Sequence, residues 1–258
     1  MIKKIWPLIL LLSIALTIFF VTGLITSIII TNGGEKNQSE IPKPTENIQN
    51  EPASADKNIL VLGDSIGFGV GDEPDMGIGK RYAVLIDPEK TIAVSNLSVS
   101  GAISSELAAL VEDPENAPFI SAADLIIISI GANDLNSLQY EDALSLDAAF
   151  QETFNTYQEN LEATLNRIRN LNPEAQIALI GLYNPYPEQD PQKSQKLFEW
   201  NYKTQLIADA DLKTAYIPID DQVKYHLDTY LAADQFHPSS IGYQVIAEEL
   251  DRVLNGID

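Results

Sequence analysis

The stretch Asn58-Ile59-Leu60-Val61-Leu62-Gly63-Asp64-Ser65 decides the fold. Residues 59–62 are aliphatic and uncharged, which is typical of a strand that is buried on both faces. The run breaks at Gly63-Asp64-Ser65, so we predict a hydroxyl group on a sharp turn where the strand ends. Open α/β sheets bind their ligands at the carboxyl ends of their strands. We therefore interpret Ser65 as a nucleophile.

Two better-known motifs match this region only in part. Residues 63–67 fit G-x-S-x-G, the nucleophile elbow of α/β-hydrolases, but in that fold several strands precede the serine. Ser65 follows the first strand of the globular part, which argues against that fold. Gly67, Gly69 and Gly71 lack the spacing of a dinucleotide-binding loop, and no Lys-Ser/Thr pair of a phosphate loop is present, so nucleotide binding is disfavoured.

Composition excludes several classes of function. The 258 residues include no cysteine, so neither disulfides nor thiolate metal sites are possible. With only two histidines, His226 and His237, a multi-histidine metal site is disfavoured. The net charge is -21; residues 1–56 hold four Lys and five Asp or Glu, so the remaining residues carry 12 basic and 32 acidic side chains, a net charge of -20. Such a surface repels phosphate backbones, so we expect no nucleic-acid partner and ascribe the acidity to solubility.

The N-terminal region predicts attachment to a membrane. No charged residue occurs from Ile5 to Thr31, and a helix of that length reaches roughly 40 Å, more than the ~30 Å hydrocarbon core. We predict that residues 1–31 form a signal anchor, with Lys3 and Lys4 in the cytoplasm and the rest of the chain outside the cell. The alternative is a cleaved signal peptide, which would leave a secreted protein. Residues 32–57 are rich in Pro, Gly, Asn and Glu and are predicted to be a flexible extracellular tether, with the globular domain at residues 58–258.

Strand and helix patterns alternate through the globular part. Apolar runs predict strands at residues 58–62, 91–97, 124–130, 176–182 and 214–219. Helices are predicted at residues 80–86, 104–111, 150–171, 191–209 and 241–254, the third of them from a stripe of apolar residues at intervals of three and four. This alternation predicts an α/β protein with a parallel sheet and helices on both faces. The sequence shows no internal repeat.

Four positions at the predicted carboxyl edge carry the groups that a serine nucleophile needs. His237 is the predicted base for Ser65, and Asp234 would orient the imidazole from the same loop. Attack on an ester carbonyl creates an oxyanion, which requires positioned donors. The N–H groups of Ser65 and Gly101 and the side-chain amide of Asn133 are the predicted donors.

With these residues assembled, the chain resembles the SGNH hydrolases, also called GDSL esterases and lipases. The family's four blocks correspond to Gly63-Asp64-Ser65, Gly101, Gly131-Ala132-Asn133-Asp134 and Asp234-Gln235-Phe236-His237. The resemblance covers about residue 58 to the C-terminus and implies a three-layer α/β/α sandwich of flavodoxin-like style on a parallel sheet. It assigns the same catalytic and oxyanion roles to these residues.

Three shorter segments resemble the membrane-anchored or secreted members found in Gram-positive bacteria: Gly69-Val70-Gly71-Asp72-Glu73, Gly181-Leu182-Tyr183-Asn184-Pro185 and Phe236-His237-Pro238. One departure stands out. Where close relatives are expected to have a polar or charged residue after the first block, this chain has Ile66-Gly67-Phe68, which leaves the shape of the acyl pocket open.

The expected function is an extracellular serine esterase or lipase that cleaves lipid acyl esters or O-acetyl groups of cell-wall glycans. It would need no cofactor and no metal, and no obligate protein partner is implied. Tyr183 and Tyr186 either line the cleft as substrate-binding residues or belong to the core, and His226 is expected to be structural or exposed. The alternative from another class is a non-catalytic module that binds glycan or lipid on the same fold.

Overall fold

The computed structural model of the protein describes residues 57–89, 91–186 and 191–256. Its strands are β1 (Lys57–Gly63), β2 (Ile92–Asn96), β3 (Leu125–Ser129), β4 (Gln176–Ile180) and β5 (Thr214–Ile217). Its helices are α1 (Ser65–Phe68), α2 (Gly77–Ile86), α3 (Ser104–Glu112), α4 (Ala117–Ala122), α5 (Ala132–Asn136), α6 (Ala143–Leu171), α7 (Pro191–Asp209), α8 (Asp220–Val223), α9 (Leu227–Tyr230) and α10 (Ser240–Asn255).

The described strands form one parallel sheet in the order β2-β1-β3-β4-β5. Strand β1 pairs with β2 on one side and with β3 on the other, so the direction in which strands are added reverses at β1. Open α/β sheets bind ligands at such a reversal, outside the carboxyl ends of the strands. Ser65 and Asn133 follow the two strands, β1 and β3, that meet there.

Two apolar cores lie on opposite faces of the sheet. Alternate residues of β1 divide between them, with Leu60 and Leu62 in one core and Ile59 and Val61 in the other. Helices α3, α4, α6 and α7 cover the first core, and α2 and α10 cover the second. The predicted parallel α/β sheet with helices on both faces is confirmed.

The predictions for the N-terminal region remain predictions. The predicted signal anchor at residues 1–31 and residues 32–56 of the predicted tether lie outside the described residues. Lys57, the last residue of the predicted tether, is the first residue of β1. Among the helices that the structure describes, none has both the length and the apolar character needed to cross a bilayer.

Candidate active site

Ser65 lies at a turn that only a glycine allows. Gly63, the last residue of β1, has φ 128°, and a Cβ there would lie 1.9 Å from the carbonyl oxygen of Ser129 in the neighbouring strand. Asp64 then caps α1 by accepting the N–H of Ile66 at 3.0 Å. Ser65 is the first residue of that helix and only 7% exposed. The turn thus brings the hydroxyl-bearing residue to the carboxyl edge of the sheet.

The structure brings His237 and Asp234 to Ser65. The His237 Nε2 atom lies 3.0 Å from Ser65 Oγ, and the Nδ1 atom lies 2.7 Å from Asp234 Oδ2. The other carboxylate oxygen, Oδ1, accepts the backbone N–H groups of Phe236 at 2.9 Å and His237 at 3.0 Å. Because an ionised carboxylate only accepts, Nδ1 is the protonated nitrogen and Nε2 is free to accept the serine proton.

The electrostatics of Asp234 suit that arrangement. Partial burial opposes its ionisation, but the hydrogen bonds from the His237 ring and from the N–H groups of Phe236 and His237 outweigh burial. The pKa of Asp234 therefore lies below its usual value. The carboxylate stays ionised at neutral pH and holds the imidazole by accepting its Nδ1–H.

Two of the three predicted oxyanion donors, Gly101 and Asn133, lie on neighbouring segments that are joined by a hydrogen bond. The amide of Asn133 donates to the carbonyl of Ala102 at 2.9 Å, which leaves its second N–H available. Gly101 has φ 87°, and a Cβ there would meet no protein atom within 4 Å, so the position requires glycine for its backbone conformation and faces open space. Ser65 and Asn133 line one cavity, whereas Gly101 is not part of its lining.

A second carboxylate fixes these loops and was not identified from the sequence. Asp134, 7% exposed, accepts the N–H of Ser104 at 3.0 Å and its hydroxyl at 2.5 Å. The amide of Asn160 on α6 donates to the same hydroxyl at 3.0 Å. The sequence places Asp134 in the third family block without giving it a role, and no local pattern reveals a partner that lies 30 residues away.

Asp64, directly before Ser65, is another buried carboxylate. It is fully buried and accepts the hydroxyl of Ser129 at 3.1 Å in addition to the N–H of Ile66. Burial raises its pKa to about 6, and the hydrogen bonds from Ile66 and Ser129 offset only part of that effect. Its contacts are those of a turn-forming residue, and it does not take the place of Asp234 beside His237.

The cavity beside Ser65 has a volume of about 240 Å³. Its buried part is formed by aliphatic side chains, and the rest of its lining carries aromatic rings, three side-chain amides (that of Asn133 among them) and an amine. The buried aliphatic residues are Ile66, Leu135, Leu182 and Leu197, and the remaining lining includes Asn136, Tyr183, Asn184, Tyr186, Lys193 and Phe236. Tyr183 and Tyr186, for which the sequence left two alternatives, thus both line the cavity, although Tyr183 is also nearly buried at 8% exposure.

The second histidine is remote from this arrangement. His226 is exposed and lies before α9, where its ring contacts that of Tyr230 with centroids 5.0 Å apart. In the part of the chain that the structure describes, no three His, Asp or Glu side chains are grouped as metal ligands. The absence of a cofactor requirement stays a prediction.

Comparisons with known proteins place the chain among enzymes. The model of the GDSL-like lipase/acylhydrolase family matches residues 61–245. The chain is 31% identical over 200 residues to the spore germination lipase LipC of Bacillus licheniformis, a match that covers 73% of this chain and 92% of that protein. The structure is similar to that of the lipase Lip_vut3 from a goat rumen metagenome, with a TM-score of 0.70, 26% identity, and coverage of 78% of this chain and 98% of that one.

A mutant of Axe2, an acetyl-xylooligosaccharide esterase from Geobacillus stearothermophilus, is similar with a TM-score of 0.59 and 23% identity, covering 80% of this chain and 96% of that one. At that identity the similarity shows the fold alone.

Proposed function

Because the chain belongs to the GDSL-like lipase/acylhydrolase family, we propose that it is a serine esterase that hydrolyses carboxylic esters through an acyl-enzyme. The observation that carries the proposal is the chain of short contacts from Ser65 Oγ to His237 Nε2, at 3.0 Å, and from His237 Nδ1 to Asp234 Oδ2, at 2.7 Å. A base aimed at a hydroxyl and an acid aimed at the base are what nucleophilic catalysis by serine requires.

In the first half of the reaction, Ser65 Oγ bonds to the ester carbonyl carbon while its proton passes to His237 Nε2. The carbonyl oxygen becomes an oxyanion, which accepts hydrogen bonds from the N–H groups of Ser65 and Gly101 and from the free N–H of Asn133. When the tetrahedral intermediate collapses, the bond to the alcohol oxygen breaks and His237 gives its proton to that oxygen. The acyl group remains on Ser65.

In the second half, water repeats the attack. His237 takes a proton from the water molecule, and the hydroxyl bonds to the acyl carbon. Collapse of the second tetrahedral intermediate breaks the bond to Ser65 Oγ, which recovers its proton from His237. The products are a carboxylic acid and an alcohol, and no cofactor enters either half.

The cavity supports an acyl chain longer than acetyl. The cavity has a volume of about 240 Å³, whereas a water molecule, which is similar in size to a methyl group, occupies roughly 30 Å³ in the liquid. An acetyl methyl group would therefore fill only a small part of the cavity. The buried side chains of Leu135, Leu182 and Leu197 offer apolar contacts that favour methylene groups over water. Lipid acyl esters are therefore the favoured substrates, and O-acetyl groups of wall glycans are the second candidate.

We further propose that residues 5–31 hold the enzyme in the cell membrane, with the catalytic domain outside the cell. Support comes from the uncharged apolar run and the two lysines before it. Protease added to intact cells is expected to degrade the catalytic domain, and fractionation is expected to recover it with the membranes. Recovery of a shortened chain in the medium would indicate cleavage and secretion instead.

The test of the proposed activity uses p-nitrophenyl esters from acetate to long acyl chains, with the full chain and its Ser65→Ala variant. We expect serine-dependent turnover with a maximum at chains longer than acetate. A maximum at acetate would favour deacetylation of glycans. Equal behaviour of the variant and the wild type in every assay would overturn the enzymatic proposal and favour the glycan- or lipid-binding module.

A further inference from the structure

Tyr183 has a buried hydroxyl group next to the proposed active site. It lies just beyond β4 with 8% of its surface exposed, and its ring lines the cavity that also contains Ser65. The hydroxyl donates to the backbone carbonyl of Phe236 at 2.6 Å. The two residues are 53 positions apart in the sequence. The bond therefore links the carboxyl edge of the sheet to the loop that carries Asp234 and His237.

The acceptor of this bond is the peptide group that leads into His237. The Phe236 carbonyl and the His237 N–H belong to one planar unit, so whatever fixes the oxygen also fixes the orientation of the N–H. That N–H donates to Asp234 Oδ1 at 3.0 Å. The Phe236 ring also packs edge-on against the His237 ring, with centroids 4.9 Å apart and planes at 88°. One peptide plane thus accepts from Tyr183, donates to Asp234 and leads directly into His237.

We propose that Tyr183 is a positioning residue whose hydroxyl, by holding the Phe236 carbonyl, keeps His237 Nε2 directed at Ser65 Oγ. The inference rests on the proposed function, in which His237 is the base. It adds a residue whose hydroxyl acts on His237 through the loop and does not itself contact the reacting atoms. Desolvation by burial raises the pKa of Tyr183 well above its usual value, so the hydroxyl remains a donor throughout the pH range of an assay.

The hydroxyl and the ring of Tyr183 have separable roles. The ring forms part of the cavity wall, where it can contact a substrate, whereas the hydroxyl is bonded to a backbone oxygen. Tyr183→Phe keeps the ring and removes the hydroxyl. A positioning role therefore predicts a lower kcat with little change in KM, and a role in binding alone predicts the reverse.

The chain offers a matched control in Tyr243 on α10. It is fully buried, and its hydroxyl donates to the carbonyl of Val70 at 2.7 Å. Tyr243→Phe therefore deletes the same group and leaves a backbone carbonyl without the same kind of donor. Val70 has no role in the proposed chemistry. Its neighbour Gly71 lies next to His237, so the control tests a lost hydroxyl in a segment that also adjoins the base.

The experiment measures steady-state hydrolysis of a p-nitrophenyl ester and the rate at which a fluorophosphonate probe labels Ser65, using the full chain. In labelling, Ser65 Oγ bonds to phosphorus, fluoride leaves and His237 takes the serine proton, so the rate reports the base directly. We expect Tyr183→Phe to lower kcat and the labelling rate by about tenfold, with KM within about twofold, because a small misplacement of a catalytic group is costly. Tyr243→Phe is expected to stay within about twofold of the wild type, while both variants lose similar thermal stability.

Equal rates for Tyr183→Phe and the wild type, or equal losses in the two variants, would overturn the inference while leaving the esterase proposal intact. A wild-type chain that neither turns over esters nor takes the probe at Ser65 would instead remove the proposed function, and the inference with it. The two failures are therefore distinguishable within one set of measurements.

Discussion

Asp64 shapes the turn that carries Ser65, but its burial lowers the stability of the folded protein when the carboxyl group is ionised. Its carboxyl group is fully buried between the end of β1 and the start of α1, where it orders the turn through Ile66 and Ser129. Burial raises its pKa to about 6. At neutral pH the folded protein therefore holds a charge in surroundings that disfavour it, and the hydrogen bonds of the turn offset only part of that cost.

This cost predicts a dependence of stability on pH. Between about pH 4 and pH 6 the folded state keeps a proton on Asp64 that the unfolded state has lost, so the contribution of Asp64 to the free energy of unfolding falls as the pH rises. The difference of about two pKa units corresponds to about 3 kcal/mol. Asp64→Asn cannot titrate, and its stability relative to the wild type is expected to rise by most of that amount between pH 4 and pH 7.

Urea denaturation at several pH values measures this difference. Asp209→Asn, which removes an exposed carboxylate at the end of α7, serves as a control for the change in net charge and should give a curve parallel to that of the wild type. A parallel curve for Asp64→Asn as well would show that Asp64 is not protonated in the folded protein at pH 5.

Asn133 carries the second prediction at this scale. Its Nδ2 atom donates one hydrogen to the carbonyl of Ala102, at 2.9 Å, and the second hydrogen is the proposed donor to the oxyanion. Asn133→Ala removes both and is expected to lower kcat by about 10²–10³, the usual loss for one oxyanion donor. Asn136→Ala, in the same cavity lining, is the control and should change kcat no more than a few-fold. An unchanged kcat in Asn133→Ala would remove that residue from the site.

At the scale of elements, the sequence predicts what a local pattern can encode. Residues 124–130 read as a buried strand because apolar side chains fill both faces, and β3 occupies residues 125–129. Helices α1, α4, α5, α8 and α9 have four to six residues, too few for a period of 3.6 to appear, and none was predicted. Helix α6 begins at Ala143, whereas the sequence predicted a start at Phe150. The pattern missed the first two turns because Leu146 is the only residue buried there.

In the candidate site, too, local sequence patterns identify some residues, whereas long-range contacts are not visible in the sequence. Ser65 and Asn133 were identified because each follows a strand, and parallel strands bring such residues to one edge. The bond between Tyr183 and Phe236 spans 53 residues, and that between Ser104 and Asp134 spans 30. These contacts depend on the order of strands and on the paths of loops, which no single-sequence pattern reports.

The bond between Ser104 and Asp134 makes a prediction about the elements it joins. Ser104 begins α3, Asp134 lies in α5, and Asn160 of α6 donates to the same hydroxyl. Ser104→Ala leaves a buried carboxylate with one donor fewer, so we expect a loss of about 1–3 kcal/mol in the free energy of unfolding. It also loosens α5 and the segment after Gly101, so kcat should fall while KM changes little.

Ser145→Ala is a suitable control for this prediction, because Ser145 also makes several hydrogen bonds, but these bonds lie at the exposed start of α6. Water can replace those bonds, so the loss in stability should stay below about 1 kcal/mol, with kcat unchanged. If the two variants lose equal stability and neither loses kcat, the bond does not link α3 to the proposed oxyanion donors.

At the scale of the whole molecule, every group assigned to the proposed chemistry lies on one side of one sheet. The carboxyl ends of β1 and β3 present Ser65 and Asn133, and the segment before α10 presents Asp234 and His237. The sheet is buried between two cores, so these groups stand on a rigid support. The surface of the same region carries the net charge of -20, which suits solubility more than binding to an anionic polymer.

This architecture predicts that residues 57–258 fold and work without the preceding 56. Both apolar cores are built from residues between Ile59 and Leu254, and the residues assigned to the site fall within that range. The shortened chain is therefore expected to unfold in one cooperative transition and to hydrolyse a water-soluble p-nitrophenyl ester with the kcat/KM of the full chain in detergent. Only hydrolysis of esters embedded in lipid vesicles should fall, because the shortened chain lacks the proposed anchor. Loss of the soluble activity, or aggregation of the shortened chain under the same conditions, would mean that residues 1–56 support the fold and are more than an anchor and a tether.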